Sequence, residues 1–388
     1  MVKKIWPVAL VAVVASLAIV ASAVARPAAT ASATAGVSCK KGVSVGMLAP
    51  ITGPAASIGS DQLHWAQFYF NQWSKVKGHV KIRLVQGDTQ LDPSKASTVA
   101  QSFASNGAIM GVIGPAGSDE VQAAAPILKK AGLVFASGSA TRVSLTDGSN
   151  KGFFYRDVPN DGVQGPTAAN YMLNSLKVKS GETVMVVDDQ ESYSTGLADI
   201  VGASLSAKGI KVDRESASQK STDFSSLIAK VTGGVKVVYL PFQLATQAQL
   251  FAQQLKAQGK GAVVFGSDGT FDSKSFTVDG SYISFFAPDV TTIKQDAATV
   301  KTFNKLYPGG TSPFGAPNYV LAQMYAQAIT KSCGDGKLTR AEVRRNFGRV
   351  ALGTTILGTP IKFTSNGDIA GAKFHIFKIV NGKYQTVA

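Results

Sequence analysis

The stretch Gly111–Thr146, GVIGPAGSDEVQAAAPILKKAGLVFASGSATRVSLT, holds a predicted helix between two predicted strands. Met110–Gly114 is an apolar run typical of a buried strand. Asp119–Ala131 has the spacing of an amphipathic helix, and Leu133–Ala136 is a second apolar run. A strand, a helix and a strand in this order predict parallel strands in an α/β fold.

Both predicted strands end in turns of small and hydroxyl-bearing residues. The first turn is Pro115–Ser118 and the second is Ser137–Thr141. Because parallel strands end at the same sheet edge, the two turns are expected to lie together where open α/β sheets bind ligands. Neither turn carries a nucleophile beside a base, so the pattern indicates ligand binding and not catalysis.

The N-terminal 25 residues have the pattern of an export signal. Lys3 and Lys4 precede an apolar run, Val8–Val24, and Ala23–Ala25 is an A-x-A cleavage site. An uncleaved membrane anchor is the alternative, since the run is almost long enough to span a bilayer. Residues 26–38 are rich in Ala, Thr and Ser and predict a flexible linker. We therefore expect an exported protein in the periplasm or on the outside of the cell envelope.

The chain has two cysteines, Cys39 and Cys333. An even count in an exported protein favours a disulfide. Two unpaired thiols are one alternative. Lipidation of Cys39 is another, although Gly36–Ser38 lacks the large aliphatic residue expected before a lipidated cysteine.

The formal net charge is +15, and the basic residues are spread out except at Lys337–Arg349. This run predicts a helix with a capping box formed by Thr339 and Glu342. Aromatic residues do not alternate with the basic ones, and no nucleic-acid-binding motif is present. The charge therefore favours a solvated basic face attracted to anionic envelope polymers and not a nucleic-acid partner.

The roughly 350 residues after the linker exceed one hydrophobic core and predict two domains. Alternating strands and helices run from Val43 to Ala136 and restart from Thr183 to Phe265. Tyr282–Pro288 is expected to lead back to the first domain, and Pro360–Phe363 to cross again to the second. The predicted fold is α/β, with two Rossmann-like parallel-sheet lobes joined by a three-strand hinge.

The predicted boundaries follow from these crossings. Lobe 1 comprises residues 39–157 plus 287–358. Lobe 2 comprises residues 158–286 plus 359–388.

The chain resembles the type I periplasmic solute-binding proteins, in particular the leucine/isoleucine/valine-binding branch that serves ABC transporters. The resemblance covers nearly all of residues 43–380, and its specificity comes from the order and spacing of short motifs. These are Ala49–Pro54, Gln86–Asp88, Asp92–Pro93, Ile113–Pro115 with Ser118, Gly138–Thr141, Gln164–Pro166, Asp189–Tyr193 and Gly266–Gly269. The resemblance implies a Venus-flytrap arrangement that closes on a small ligand.

The resemblance also implies a set of binding residues. Ser118, at a helix N-terminus, would hold a ligand carboxylate, and Asp268 would pair with an ammonium group. Burying a zwitterion requires that both its charges be paired. The implied ligand-binding residues are Ser118, Ser139, Ala140, Thr141, Tyr193, Phe242 (or Gln243) and Asp268. The implied cleft rim consists of Ile58, Gly117 and Gln164.

Two departures from the family pattern leave the ligand open. Ile58 stands where some relatives have a cleft tyrosine, and Leu91 and Gly117 stand where some have a disulfide. Relatives of this branch also serve amides, urea and aromatic acids. A branched-chain or other apolar amino acid is the expected ligand, with an amide, urea or small aromatic acid as the alternative.

An enzyme is the competing class of function. His64, His79 and His375 have no evident Ser or Asp partner, and the common catalytic and phosphate-binding motifs are missing. Cys333–Lys337 has the wrong acid spacing for a calcium loop. We therefore expect no catalysis, metal or cofactor. The expected partner is a membrane ABC permease binding a monomer, and the alternative is a ligand-sensing subunit of a membrane receptor.

Overall fold

The computed structural model describes residues 1–2, 36–309, 312–371 and 373–388. The predicted signal peptide, except Met1 and Val2, lies outside the described residues, as does the predicted linker up to residue 35. Val37–Ser38, assigned to the linker from sequence, instead pair with Lys337–Leu338 in a short antiparallel ladder. Within the described residues, no helix has both the length and the apolar character that a membrane span requires.

Strands and helices alternate along the described chain. The strands are β1 (Val37–Ser38), β2 (Val43–Ala49), β3 (Ile82–Asp88), β4 (Ile109–Ile113), β5 (Val134–Ser137), β6 (Phe154–Arg156), β7 (Thr183–Asp188), β8 (Lys211–Ser216), β9 (Val235–Leu240), β10 (Val263–Gly266), β11 (Tyr282–Phe285), β12 (Lys337–Leu338), β13 (Ala351–Leu352), β14 (Ile361–Lys362), β15 (His375–Val380) and β16 (Lys383–Thr386). The helices are α1 (Ala56–Lys75), α2 (Pro93–Ser105), α3 (Ser118–Lys130), α4 (Asp161–Asn174), α5 (Ser192–Ser206), α6 (Ser225–Ala229), α7 (Ala245–Ala257), α8 (Ala297–Leu306), α9 (Gly315–Ser332) and α10 (Arg340–Phe347).

Two large sheets organise the molecule. The first has five parallel strands in the order β3-β2-β4-β5-β6. The second has seven strands in the order β16-β15-β11-β10-β9-β7-β8, in which β15 and β16 are antiparallel to their neighbours. The apolar runs predicted as strands are buried in these sheets because each sheet is covered by helices. The predicted two-sheet α/β fold is confirmed.

Within the described residues, the chain passes between the sheets three times. It leaves the first sheet after β6, returns after β11 to form α8 and α9, and enters the second sheet again at β15. The chain enters the second sheet for the last time after residue 359, where the sequence had placed the boundary between the lobes. Ile361–Lys362 still pair with Ala351–Leu352, and Asp368 still bonds Arg156 of β6.

The stretch quoted at the outset forms β4, α3 and β5, which pair as predicted. Tyr325 of α9 joins the two strands, since its hydroxyl lies within hydrogen-bond distance of the Val112 and Val134 carbonyl oxygens, at 2.8 and 3.1 Å, and accepts from Val112 N at 3.2 Å. Gly111 makes room for this ring, because a Cβ there would lie 2.3 Å from Tyr325 Cε1. A buried hydroxyl in α9 therefore fixes the strands whose ends carry the site.

The C-terminal part of lobe 1 confirms one prediction and corrects another. Thr339 and Glu342 form the predicted capping box, with Glu342 N donating to Thr339 Oγ1 at 3.3 Å and Thr339 N donating to Glu342 Oε2 at 2.8 Å. The helix is shorter than the basic run, because Lys337–Leu338 are strand β12. Cys39 and Cys333 form the predicted disulfide, with an S–S distance of 2.05 Å.

Candidate functional site

A pocket lies between the two sheets, at the carboxyl ends of their central strands. It encloses about 360 Å³ of space, part of which is open to solvent. Its lining residues come from the segments that follow strands of both sheets, from α1, α3 and α5, and from the turn before α9. They are Ile58, Leu91, Ala116, Gly117, Ser118, Ser139, Tyr193, Gln243, Asp268, Gly269 and Phe314.

The first-sheet side of the pocket is the N-terminus of α3. Ser118 is 2% exposed and begins the helix, and Glu120 Oε2 accepts a hydrogen bond from Gly117 N at 2.7 Å. The N–H groups of Ser118 and Asp119 have no acceptor among the described residues. Unpaired amides and the positive end of the helix dipole suit a ligand carboxylate.

The second turn of the quoted stretch contributes one residue to the pocket. Ser139 Oγ accepts from Gln62 Nε2 at 2.8 Å and donates to the Ala116 carbonyl oxygen at 2.8 Å. Ala140 and Thr141, predicted as ligand contacts, lie behind the pocket and do not line it. Their carbonyl oxygens are taken up by protein donors, and the turn serves to orient Ser139.

Arg156 is the residue that fixes this turn, and the sequence did not single it out. Its side chain is fully buried and pairs with Asp368 at 2.6 Å. Its guanidinium also donates to the Ala140 and Arg142 carbonyl oxygens at 3.1 and 2.7 Å. A buried guanidinium needs this many acceptors because an unpaired one would be strongly destabilising.

The second-sheet side of the pocket is built around Asp268. Its Oδ1 accepts from Tyr193 Oη at 2.6 Å and from Gln164 Nε2 at 2.6 Å. Burial raises the pKa of Asp268 to about 6, although these two hydrogen bonds favour the ionised form. Near neutral pH the pocket therefore presents a buried carboxylate opposite the N-terminus of α3.

Asp161 is a second buried acid on this side. Burial, with a smaller contribution from Asp268, raises the pKa of Asp161 to about 8. Its N–H donates to the Thr141 carbonyl oxygen at 2.8 Å, so α4 begins against the turn of the first sheet. Since burial raises the pKa of Asp161 above that of Asp268, Asp268 is the first of the two to ionise.

Two residues predicted for this side of the pocket lie elsewhere than expected. Phe242 is buried beside Phe224 and does not line the pocket, whereas its neighbour Gln243 does. Gln164 is not on the rim, because it is buried behind Asp268 and also donates to Ser284 Oγ at 3.0 Å. Phe242 and Gln243 are neighbours in the irregular segment after β9, so an alignment uncertainty of one residue exchanges a core position for a pocket position.

An apolar wall closes the remaining side of the pocket. It consists of Ile58, Leu91 and Phe314, which come from three separate parts of the chain. Ile58 was expected at the cleft, but nothing in the local sequence around Phe314 marked it for the site. Only the packing of the turn before α9 brings Phe314 to the pocket.

The two sides are in contact across the cleft, beside the pocket. Asp119 Oδ1 accepts from Ser192 N at 2.5 Å, and Asp119 Oδ2 accepts from Gln243 Nε2 at 2.8 Å. Ser192 Oγ donates to Gln122 Oε1 at 2.6 Å, and Arg142 donates to the Ser192 carbonyl oxygen. The described arrangement is therefore closed.

The fold and the cleft define a two-lobed ligand-binding protein. A sequence model of the periplasmic binding proteins matches residues 42–383, and the chain belongs to this family. An amino acid binding protein of Pseudomonas aeruginosa is 29% identical over 299 residues, which are 74% of this chain and 77% of that protein. A leucine-specific-binding protein of Salmonella typhimurium is 28% identical over 349 residues, 87% of this chain and 90% of that protein.

Solved structures agree with the fold. The crystal structure of a leucine binding protein from Thermotoga maritima matches with a TM-score of 0.80 at 19% identity, covering 89% of this chain and 98% of that one. The family match and the two curated relatives, which are named as amino acid and leucine-specific binding proteins, confirm the predicted resemblance to this family of binding proteins and its leucine/isoleucine/valine-binding branch. Consistent with this class, His64 and His79 lie outside the pocket and stack on Tyr307 and Trp73.

Proposed function

We propose that this chain is the extracytoplasmic substrate-binding protein of an ABC importer and that it captures a small apolar amino acid by closure of its two lobes. The observation that carries the proposal is the pairing of opposite features across one pocket. The N-terminus of α3, beginning at Ser118, faces the buried carboxylate of Asp268. The names of the curated relatives, which bind amino acids or leucine, point to the same ligand class.

The geometry suits both ends of a zwitterion. A ligand carboxylate on the amides of α3 gains hydrogen bonds and the helix dipole. A ligand ammonium beside Asp268 replaces the water that this buried carboxylate would otherwise need. A simple carboxylic acid would satisfy α3 but leave Asp268 buried without a cation, so the pocket favours an α-amino acid over an aromatic acid.

Closure follows from the division of the site between lobes. Ser118 and Ser139 belong to the first lobe, and Tyr193 and Asp268 to the second. A ligand that contacts both sides binds the closed form better than the open form and shifts the population toward it. In this proposal a membrane permease recognises the closed monomer on the outside of the cytoplasmic membrane.

The test is calorimetry with a panel of amino acids, amides and small aromatic acids, comparing the unchanged protein with Asp268→Asn. We expect the unchanged protein to bind an apolar amino acid and Asp268→Asn to weaken it about 100-fold, since removing one partner of a buried charge pair costs roughly 2–5 kcal/mol. Asp279→Asn, an exposed acid of the same lobe whose Oδ1 accepts from Gly382 N, is the matched control and should leave affinity unchanged.

Two results would contradict the proposal. Binding of an aromatic acid or urea in preference to every amino acid would show that the ligand is not a zwitterion. Equal affinity of the unchanged protein and Asp268→Asn for the same amino acid would show that Asp268 does not pair with the ligand ammonium.

A further inference from the structure

The turn between β3 and α2 has a backbone conformation that its residues disfavour. Gln90 and Leu91 have φ angles of 54° and 61°, and Asp92 N donates to the Thr89 carbonyl oxygen at 2.9 Å. Two consecutive left-handed residues within a hydrogen-bonded turn form the type I′ geometry, which usually takes Asn or Gly. A leucine in this position crowds its Cβ against the following carbonyl group.

Neighbouring groups hold the turn in this conformation. Asp88 Oδ1 accepts from Ile51 N at 2.9 Å, Thr52 N at 3.1 Å and Gln90 N at 3.2 Å. Gln90 Nε2 also donates to Thr52 Oγ1 at 3.0 Å. An unfavourable backbone state persists only where its surroundings determine it in this way, and such states concentrate at functional sites.

The turn places the side chain of Leu91 at the pocket. Leu91 lines the pocket beside Ile58 and Phe314. It lies directly over Gly117 at the start of α3, since a Cβ on Gly117 would be 2.9 Å from Leu91 Cδ1. Glycine at position 91 would relieve the backbone but would remove this part of the apolar wall.

We propose that Leu91 determines ligand size, with its side chain limiting the pocket to amino acids that carry a short aliphatic side chain. This inference rests on the proposed function, because it concerns the same site. The wall contributes no polar group, so it discriminates by volume. Discrimination by an apolar pocket typically amounts to 10- to 200-fold for each methylene.

The experiment compares the affinities for L-valine, L-leucine and L-phenylalanine in the unchanged protein and in Leu91→Ala. We expect the ratio of phenylalanine to valine affinity to rise tenfold or more in Leu91→Ala. Leu250→Ala, a partly buried leucine of α7 outside the pocket, is the matched control and should leave the ratio unchanged.

A second pair of variants tests the turn without any ligand. Leu91→Gly should unfold at a temperature equal to or above that of Leu91→Ala, because glycine accepts the left-handed backbone. Leu250→Gly should unfold below Leu250→Ala, the usual order in a helix. The opposite order at position 91 would overturn the argument from the turn.

The remaining outcomes separate the two proposals. If the unchanged protein binds valine or leucine and Leu91→Ala leaves the ratio unmoved, the size-determining role of Leu91 is wrong and the proposed function stands. If the unchanged protein binds none of these three amino acids and no other apolar amino acid of the panel, the proposed function fails and this inference fails with it.

Discussion

At the scale of single residues, the pocket depends on the protonation of Asp268. Burial raises the pKa of Asp268, and Tyr193 and Gln164 hydrogen-bond the ionised carboxylate. Tyr193 itself stays neutral, because burial, together with the neighbouring Asp268, raises the pKa of its hydroxyl well above the usual value of a tyrosine. The tyrosine therefore acts as a donor to Asp268 and leaves the second carboxylate oxygen to face a ligand cation.

The affinity for an amino acid should consequently depend on pH. A raised pKa means that the carboxyl of the unliganded protein takes up a proton as pH falls through about 6. Below that pH, binding an ammonium group requires this proton to be released, so affinity should fall up to tenfold per pH unit. Calorimetry between pH 4.5 and 8 checks the slope. Asp268→Asn should flatten it, and an equal slope in both proteins would assign the dependence to another group.

At the scale of elements, two helix N-termini meet across the cleft. Asp119, in the first turn of α3, accepts from the N–H of Ser192 at the start of α5, and α3 also presents its own free amides to the pocket. A carboxylate near both helix N-termini is favourable because of their dipoles. Asp119 is not among the residues that line the pocket, so we assign the contacts of its carboxylate to closure.

Asp119→Ala should therefore weaken ligand binding, because it removes the contact with Ser192 across the cleft and the acceptor that holds Gln243 at the edge of the pocket. We expect a loss of about fivefold to twentyfold, because hydrogen bonds to a charged group typically contribute about 1.5–3 kcal/mol and the one from Ser192 N is only partly buried. Small-angle scattering should show a larger open fraction at subsaturating ligand. Asp147→Ala, an exposed acid that accepts from Ser149 N away from the cleft, is the control. Unchanged affinity and scattering would show that closure does not depend on Asp119.

At the scale of the whole molecule, the disulfide joins the entry of the first sheet to the end of α9. Cys39 and Cys333 are 294 residues apart, and the bond lies before β2, at the end of the sheet opposite the pocket. A cross-link over so long a segment restricts the unfolded chain strongly in the loop-entropy account. Its contribution is to stability and not to the site.

Replacing both cysteines, Cys39→Ser with Cys333→Ser, should lower the melting temperature by several degrees and leave ligand affinity unchanged. The loop-entropy account gives roughly 5–6 kcal/mol for a segment of this length, and removing a native disulfide typically costs about 2–5 kcal/mol. Thermal unfolding with and without reductant provides the measurement, and the double variant should not respond to reductant. Two free thiols in the unreduced protein, or an unaltered melting temperature, would contradict the expectation.

Local sequence patterns anticipated much of the fold because they report local physics. The cap at Asp92, whose Oδ1 accepts from Ser94 N at 2.7 Å, and the box at Thr339 depend on residues three or fewer apart. The family resemblance added Ser118, Ser139, Tyr193 and Asp268, all of which line one pocket.

The amino-acid sequence by itself determined the α/β alternation and the two polar turns at one sheet edge, because periodicity and local turn chemistry need no distant partner. It also contained the even number of cysteines that a disulfide needs. Tertiary structure alone decided that Gln243 and not Phe242 faces the pocket and that Phe314 joins its wall. It also decided that Leu91 enters the pocket from a left-handed turn. These outcomes depend on long-range packing and on which face a side chain presents, and a shift of one residue reverses that face.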